Sequence, residues 1–269
     1  MQRIRAMQRI RMALALMVAL GASQVSAQGV EKAIVKSGDV EVPLETARPA
    51  GSGPFAPLLY VHARRGFEDE DRQKMREFAA MGFLVVAPDW QSGRFLERWP
   101  IPHDPATEGD VEAALDYLAR RPDACRTPAG VVGYSRGPYY AIRLAAKRPK
   151  DIAAIVSYYG HMQNPNAPEP DQLFRVAPEV QLLTTPILML IGDQDFELRR
   201  MSAGRAFYSL YERGVPVEIQ MYPMVRRAFD FRGDQTPEEK IATRHARERA
   251  REWLYRWMKL GPKGECPRG

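Results

Sequence analysis

Gly133-Tyr134-Ser135-Arg136-Gly137 is the stretch that decides the fold, because this Gly-x-Ser-x-Gly pattern stands directly between a predicted buried strand and a predicted helix. Flanking glycines allow the sharp turn that lifts a serine above the edge of a sheet. The helix that follows offers backbone N–H groups and the positive end of its dipole to a developing oxyanion. The pattern therefore predicts a nucleophile elbow with Ser135 as the nucleophile.

Short apolar strands alternate with amphipathic helices on both sides of the elbow. Strands are predicted at residues 57–62, 83–87, 130–132, 152–158, 186–191 and 217–222. Helices are predicted at residues 69–81, 111–120, 138–147, 198–213 and 237–258. Alternating segments at 31–36 and 40–44 predict an opening hairpin at the edge of the sheet. Repeated βα units imply an α/β fold, with a mostly parallel central sheet and helices on both faces.

The first 27 residues differ in character from the rest of the chain. Four arginines precede an apolar run at residues 12–20, which is followed by small residues ending Val25-Ser26-Ala27. The run is shorter than the roughly 20 residues that span a bilayer, which favours a cleaved secretory leader over a retained anchor. We therefore expect a signal peptide at 1–27, a single α/β domain at 28–269, and a periplasmic or secreted protein.

Composition narrows the class of partners. Apolar residues make up 45% and charged residues 27% of the 269 residues, as is typical of a globular protein. The leader holds four of the 39 basic residues and none of the 33 acidic ones, so its removal lowers the net charge from +6 to +2. A mature chain this balanced gives no electrostatic reason to expect nucleic acid or membrane as a partner. No motif implies a cofactor or a metal.

The two cysteines, Cys125 and Cys266, have no metal-site spacing. In a protein that enters an oxidising compartment, a disulfide between them is the natural hypothesis. It requires Cα atoms within about 7 Å and would attach the C-terminal tail to the loop before the nucleophile strand. Two separate free thiols are the alternative.

An acid is expected after the nucleophile in chain order, at the end of a later strand. Gly192-Asp193-Gln194-Asp195 is such a strand end, and its spacing favours Asp195. The alternative for either aspartate is to cap the helix that follows. The sequence therefore offers Ser135 and Asp195 as two members of a catalytic set.

From about residue 34 to 257 the chain is similar to the dienelactone hydrolase family, which has the α/β-hydrolase fold. The resemblance rests on residues 61–66, 82–89, the elbow, 157–160, 192–195 and 221–223. It implies a cofactor-free serine hydrolase acting on a small ester or lactone. It also implies an oxyanion hole formed by the backbone N–H groups of Arg64 and Arg136.

Three positions depart from the family pattern: Ala63 replaces a glutamate, Pro138 a glycine, and Arg227 the catalytic histidine. The third departure matters most, because arginine stays protonated and cannot take the proton of Ser135. Among His62, His103, His161 and His245, we favour His161 as a substitute base. It follows a predicted strand on the sheet edge where catalytic groups gather.

Five arginines are predicted on or beside loops at the same edge: Arg64, Arg65, Arg136, Arg226 and Arg227. Arginine suits carboxylate recognition, so we expect Arg65 and Arg226 to bind substrate; solvated loop charges are the alternative. Two functions follow. The chain is a serine hydrolase with an incomplete triad, or it is a weak or inactive relative that binds a small acidic ligand.

Overall fold

A computed structural model describes residues 30–100, 102–165 and 175–267 of the chain, so the predicted leader lies outside the described residues. The strands of the described residues are β1 (Glu31–Ser37), β2 (Val40–Ala47), β3 (Ala56–Val61), β4 (Phe83–Pro88), β5 (Ala129–Tyr134), β6 (Ile152–Tyr158), β7 (Ile187–Gln194) and β8 (Val217–Arg226). The α-helices are α1 (Asp69–Ala80), α2 (Ala106–Arg120), α3 (Gly137–Lys147), α4 (Glu197–Glu212) and α5 (Pro237–Trp257).

All eight strands form one sheet in the order β1-β2-β4-β3-β5-β6-β7-β8. β1 and β2 form an antiparallel hairpin, and β2 pairs antiparallel with β4. From β4 onward every pair of neighbours is parallel. The predicted mostly parallel sheet is therefore confirmed. Because parallel strands end at the same edge, the loops after β3, β5, β6, β7 and β8 meet there.

The two faces of the sheet bury different helices. Along β3, Leu59 and Val61 pack into a cluster with α2, α3 and α4. Leu58 and Tyr60 point the other way, into a cluster with α1 and α5. This alternation follows from the two-residue period of a strand. Helices on both faces are thus confirmed.

The two largest differences from the predicted boundaries are in α2 and β8. Helix α2 begins five residues earlier than expected, because its first turns bury paired polar side chains, such as Asp110 against Arg94, in place of apolar ones. Strand β8 continues past Tyr222 to Arg226 through a register shift opposite Gly192. The second difference matters for function, since it places Arg227 directly after the strand.

Cys125 and Cys266 form a disulfide, with their Cα atoms 6.1 Å apart. It attaches the C-terminal tail to the loop before β5, at the edge of the sheet opposite the elbow. Among the helices that the structure describes, none has the length and apolar character needed to cross a membrane.

Candidate active site

The elbow has the strained backbone that its sequence predicts. Ser135 has a φ of 56°, in the left-handed region that non-glycine residues rarely adopt. A Cβ on Gly133 would lie 2.5 Å from the backbone nitrogen of Pro138, and a Cβ on Gly137 would lie 2.2 Å from the carbonyl oxygen of Val61. Only glycine fits either position. Pro138 lies in the first turn of α3, where a missing N–H costs the helix nothing.

Arg227 joins the nucleophile to the predicted acid. Its Nη2 donates to Ser135 Oγ at 2.8 Å, while its Nη1 donates to Asp195 Oδ1 and Oδ2 at 3.0 and 2.8 Å. The Asp195 side chain is fully buried, and its Oδ1 also accepts from the backbone N–H of Phe196. Arg227 therefore occupies the space between serine and acid that a triad histidine would fill.

His161 lies on another side of the same hydroxyl. Its Nε2 is 3.4 Å from Ser135 Oγ, and its backbone N–H donates to the carbonyl oxygen of Ser135 at 2.8 Å. The second bond ties the loop after β6 to the elbow and fixes the imidazole beside the nucleophile. The distance is long for a hydrogen bond, but catalytic hydrogen bonds commonly tighten only when substrate binds.

Burial and positive charge keep this imidazole neutral. Burial first, and then the surrounding guanidinium groups, lower the pKa of His161 well below its usual value; these groups belong to Arg199, Arg227, Arg136 and Arg64. A neutral imidazole with its proton on Nδ1 can accept a proton at Nε2. Ser135 Oγ can therefore accept a hydrogen bond from Arg227 and donate its own proton to His161.

Burial and mutual repulsion disfavour the charged form of the arginines around the site. Burial and then the charges of Arg227 and Arg64 lower the pKa of Arg199 to about 9. Burial is the main reason that the pKa of Arg136 falls to about 10, and the nearby Arg64 adds to the effect. The site therefore carries more positive charge than its own carboxylates balance.

The two residues implied for the oxyanion hole are at the correct edge of the sheet. Arg136 follows the nucleophile directly, and Arg64 lies in the loop after β3. The carbonyl oxygen of Arg64 accepts from the backbone N–H of Trp99 at 2.7 Å and from Gln91 Nε2 at 3.1 Å. These bonds hold the loop that carries the Arg64 N–H. Its role in an oxyanion hole stays a prediction.

The two predicted substrate-binding arginines have different surroundings. Arg65 lines the cavity beside Ser135 but is paired with Asp71 and Glu68, which raise its pKa despite its burial. Arg226 does not reach the cavity. Its guanidinium donates to Glu239 Oε1 and Oε2, each at 2.7 Å. Successive side chains along a strand point to opposite faces, so Arg226 points away from the site that Arg227 enters.

The remaining histidines have partners elsewhere in the fold. His62 is buried and stacks on Trp90 with ring centroids 5.0 Å apart. His103 Nε2 lies 2.8 Å from Glu108 Oε1, and His245 hydrogen-bonds to the Tyr222 hydroxyl. Only His161, of the four, is brought to the nucleophile.

A cavity of about 330 Å³ opens beside Ser135 and His161. It contains residues that the sequence patterns did not single out: Trp99, Phe196, Arg199, Phe231 and Arg232. Arg199 had a signal that could have found it, because it lies one turn after Asp195 in the helix at the catalytic edge. Trp99 had none, since its approach depends on the folding of a long loop. No group of three metal-ligating side chains occurs within the described ranges.

The fold and the elbow define the class of protein as an α/β-hydrolase. Solved structures share the architecture, and two of them illustrate the range. An acylaminoacyl peptidase from Pyrococcus horikoshii matches with a TM-score of 0.69 at 16% identity, over 92% of this chain and 43% of its own. A dienelactone hydrolase from Anabaena variabilis matches with a TM-score of 0.65 at 19% identity, over 86% of this chain and 99% of its own.

The particular family follows from the sequence. The model of the dienelactone hydrolase family matches residues 45–258, and the chain belongs to this family. Dipeptidyl-peptidase 5 from Porphyromonas gingivalis is 28% identical over 182 residues, which are 56% of this chain and 27% of that protein. The chain thus spans about a quarter of the length of this curated relative. The family and these relatives are hydrolases.

Proposed function

We propose that the protein is an exported serine hydrolase that cleaves a small ester or lactone, with Ser135 as nucleophile and His161 as general base. One observation carries the proposal. The hydroxyl of Ser135 lies within reach of both a permanent donor, Arg227, and a neutral acceptor, His161. A serine in this position can lose its proton to one partner while the other stabilises the charge that develops on Oγ.

The reaction begins when Ser135 Oγ attacks the carbonyl carbon of the substrate and its proton passes to His161 Nε2. The carbonyl oxygen becomes an oxyanion facing the backbone N–H groups of Arg64 and Arg136. The protonated His161 then gives its proton to the leaving alkoxide, and the acyl group stays on Ser135. Water repeats the sequence and releases the acid, with His161 again taking and returning the proton.

Arg227 helps the weakly basic His161 to remove the proton of Ser135. The neighbouring arginines disfavour the imidazolium, which makes proton transfer to His161 harder. The Nη2 donor of Arg227 stays on Oγ and favours the alkoxide, which offsets part of that cost. The buried Asp195 holds the guanidinium in place from its other edge. Asp195 therefore positions an arginine here, where in a complete triad it would orient a histidine.

Export is part of the proposal. The arginine-rich, apolar N-terminal stretch favours secretion, and the Cys125–Cys266 disulfide suits the oxidising compartment to which a leader would deliver the chain. Mass spectrometry of protein from the producing cells would show a mature N-terminus at residue 28. An intact Met1 on the folded protein would contradict export by cleavage.

Covalent labelling tests the catalytic proposal. A fluorophosphonate probe should label Ser135, and Ser135→Ala should abolish labelling. His161→Asn should slow labelling by about a hundredfold, since general-base assistance commonly contributes that much. His245→Asn is the matched control and should leave the rate unchanged, because His245 bonds to Tyr222 and does not line the cavity. Equal rates in both histidine variants would exclude His161 as the base.

A second function, ligand binding without turnover, is favoured by the Arg227–Asp195 pair. This pair occupies the acid that would otherwise orient a histidine. A binding protein would give no labelling by the probe, and Ser135→Ala would leave its affinity for a small carboxylate unchanged. The labelling experiment therefore decides between the two functions.

A further inference from the structure

The cavity beside Ser135 collects guanidinium groups from three separate parts of the fold. Arg64 comes from the loop after β3, Arg199 from the first turn of α4, and Arg227 from the residue after β8. A fourth, Arg136, is buried next to the nucleophile and acts on His161 through its charge. The charges of all four arginines thus act on His161, the imidazole beside the Ser135 hydroxyl.

Carboxylates do not balance the charges of Arg64, Arg199 and Arg227. None of the cavity-lining residues is Asp or Glu in the part of the chain that the structure describes. Asp195, just behind the lining, neutralises Arg227. The other two lining arginines have carboxylates of their own, Arg65 with Asp71 and Arg232 with Asp234. Arg64 and Arg199 have no carboxylate partner among the described ion pairs.

Two of the donors are also buried without an acceptor. Arg199 Nη1 and Arg64 Nε have no hydrogen-bond partner within the described residues, although neither atom is exposed to solvent. A buried charged donor left unpaired costs more free energy than an ordinary lost hydrogen bond. Because both side chains also line the cavity, an anion bound there would offset the charge that these two buried groups carry.

The charge excess favours a ligand with more than one negative charge. Arg64, Arg199 and Arg227 line the cavity with one carboxylate, Asp195, behind them, so a monocarboxylate ligand would leave one of the two excess charges uncompensated. A phosphoryl group carries about −1.5 to −2 charges at neutral pH and offers three strong acceptor oxygens. Guanidinium groups that come from different elements can each bind a different oxygen of such a group.

We propose that the cavity binds a phosphoryl dianion, of inorganic phosphate or of a small phosphate monoester, between Arg64, Arg199 and Arg227. The cavity's 330 Å³ leaves room for a small organic group beside the phosphoryl oxygens. The exposed rings of Trp99 and Phe196 line the cavity and offer an apolar surface for that group. The inference goes beyond the proposed function, because it assigns an anion site beside Ser135 that requires no turnover.

Calorimetry on the Ser135→Ala protein tests this proposal, since the variant cannot consume an ester during the titration. We expect inorganic phosphate to bind at least tenfold more tightly than acetate. Phenyl phosphate separates the two sources: tighter binding than phosphate indicates a monoester ligand, and equal or weaker binding indicates free phosphate. No heat with either phosphate, or equal affinity for acetate and phosphate, would overturn the proposal.

Two further variants locate the site. Arg199→Met in the same background should weaken phosphate binding by tenfold or more. Arg205→Met is the matched control, because Arg205 lies on the exposed side of the same helix and outside the cavity lining, and its affinity should stay within twofold. Equal losses in both variants would show a general charge effect and no built site. Thermal unfolding of each variant confirms that it is folded.

The two proposals fail in different ways. Phosphate binding to the Ser135→Ala protein without fluorophosphonate labelling of the wild type would refute the hydrolase and leave the phosphoryl site standing. Labelling without phosphate binding would do the opposite.

Discussion

Arg226 and Arg227 are neighbours in sequence, yet they belong to different regions of the molecule. Arg226 turns toward the start of α5, where Glu239 and Asp234 bind its guanidinium. Arg227 turns toward the elbow, where its guanidinium donates hydrogen bonds to both Asp195 and Ser135. One arginine holds a helix in place, and the other controls the charge around a serine. A strand-end position alone therefore does not assign a role.

The largest expected difference between the two positions is in rate. Arg227→His places a histidine between Ser135 and the buried Asp195, which restores the arrangement of a complete triad. We expect kcat/KM for a small aryl ester to rise by about a hundredfold. Arg226→His should leave kcat/KM unchanged, because Arg226 does not reach the cavity. A fall in kcat/KM for Arg227→His would show that the Arg227 guanidinium contributes more to the reaction than a histidine at the same position.

The free energy of unfolding should also differ between variants at the two positions, but by less than the rate does. Arg227→Met leaves the fully buried Asp195 carboxylate without its cation, and breaking a buried pair costs about 3 kcal/mol. Arg226→Met should cost less, since Arg232 and the Thr236 backbone N–H still face the equally buried Glu239 carboxylate. Urea unfolding of both variants at pH 7 measures the difference. Equal losses would mean that the Asp195 pair contributes little to the fold.

The smallest expected effect is on the pH dependence of hydrolysis. Because burial and neighbouring arginines depress the pKa of His161, the base stays neutral and active at pH 6.5. Activity is lost only as the pH falls further, through the depressed value. The charges that act on His161 are those of Arg64, Arg136, Arg199 and Arg227.

Removing one of these charges should raise the pKa of His161. Arg199→Met is therefore expected to move the acidic limb of the kcat/KM profile to higher pH. Arg205→Met should leave the limb in place, since Arg205 lies on the exposed side of the same helix and outside the cavity lining. A limb that does not move in Arg199→Met would show that His161 is not the group whose protonation stops the reaction.

Local sequence patterns predicted the sheet, the elbow and the position of Asp195, because each depends on residues close together in the chain. The start of α2 was placed too late, since the apolar period does not record buried polar pairs such as Asp110 with Arg94. The side-chain direction of Arg226 and the position of Trp99 in the cavity lining could not be predicted. Both depend on how distant segments pack, and no short pattern encodes that.

The disulfide has a consequence for the continuity of the active site. It closes residues 125–266 into a covalent ring that contains Ser135, His161, Asp195 and Arg227. A single break in the main chain anywhere inside this ring leaves one molecule, because the bridge still joins the two pieces. Nicked protein would thus keep all four side chains on one connected polymer until the bridge is reduced. The catalytic groups are linked by chain topology as well as by packing.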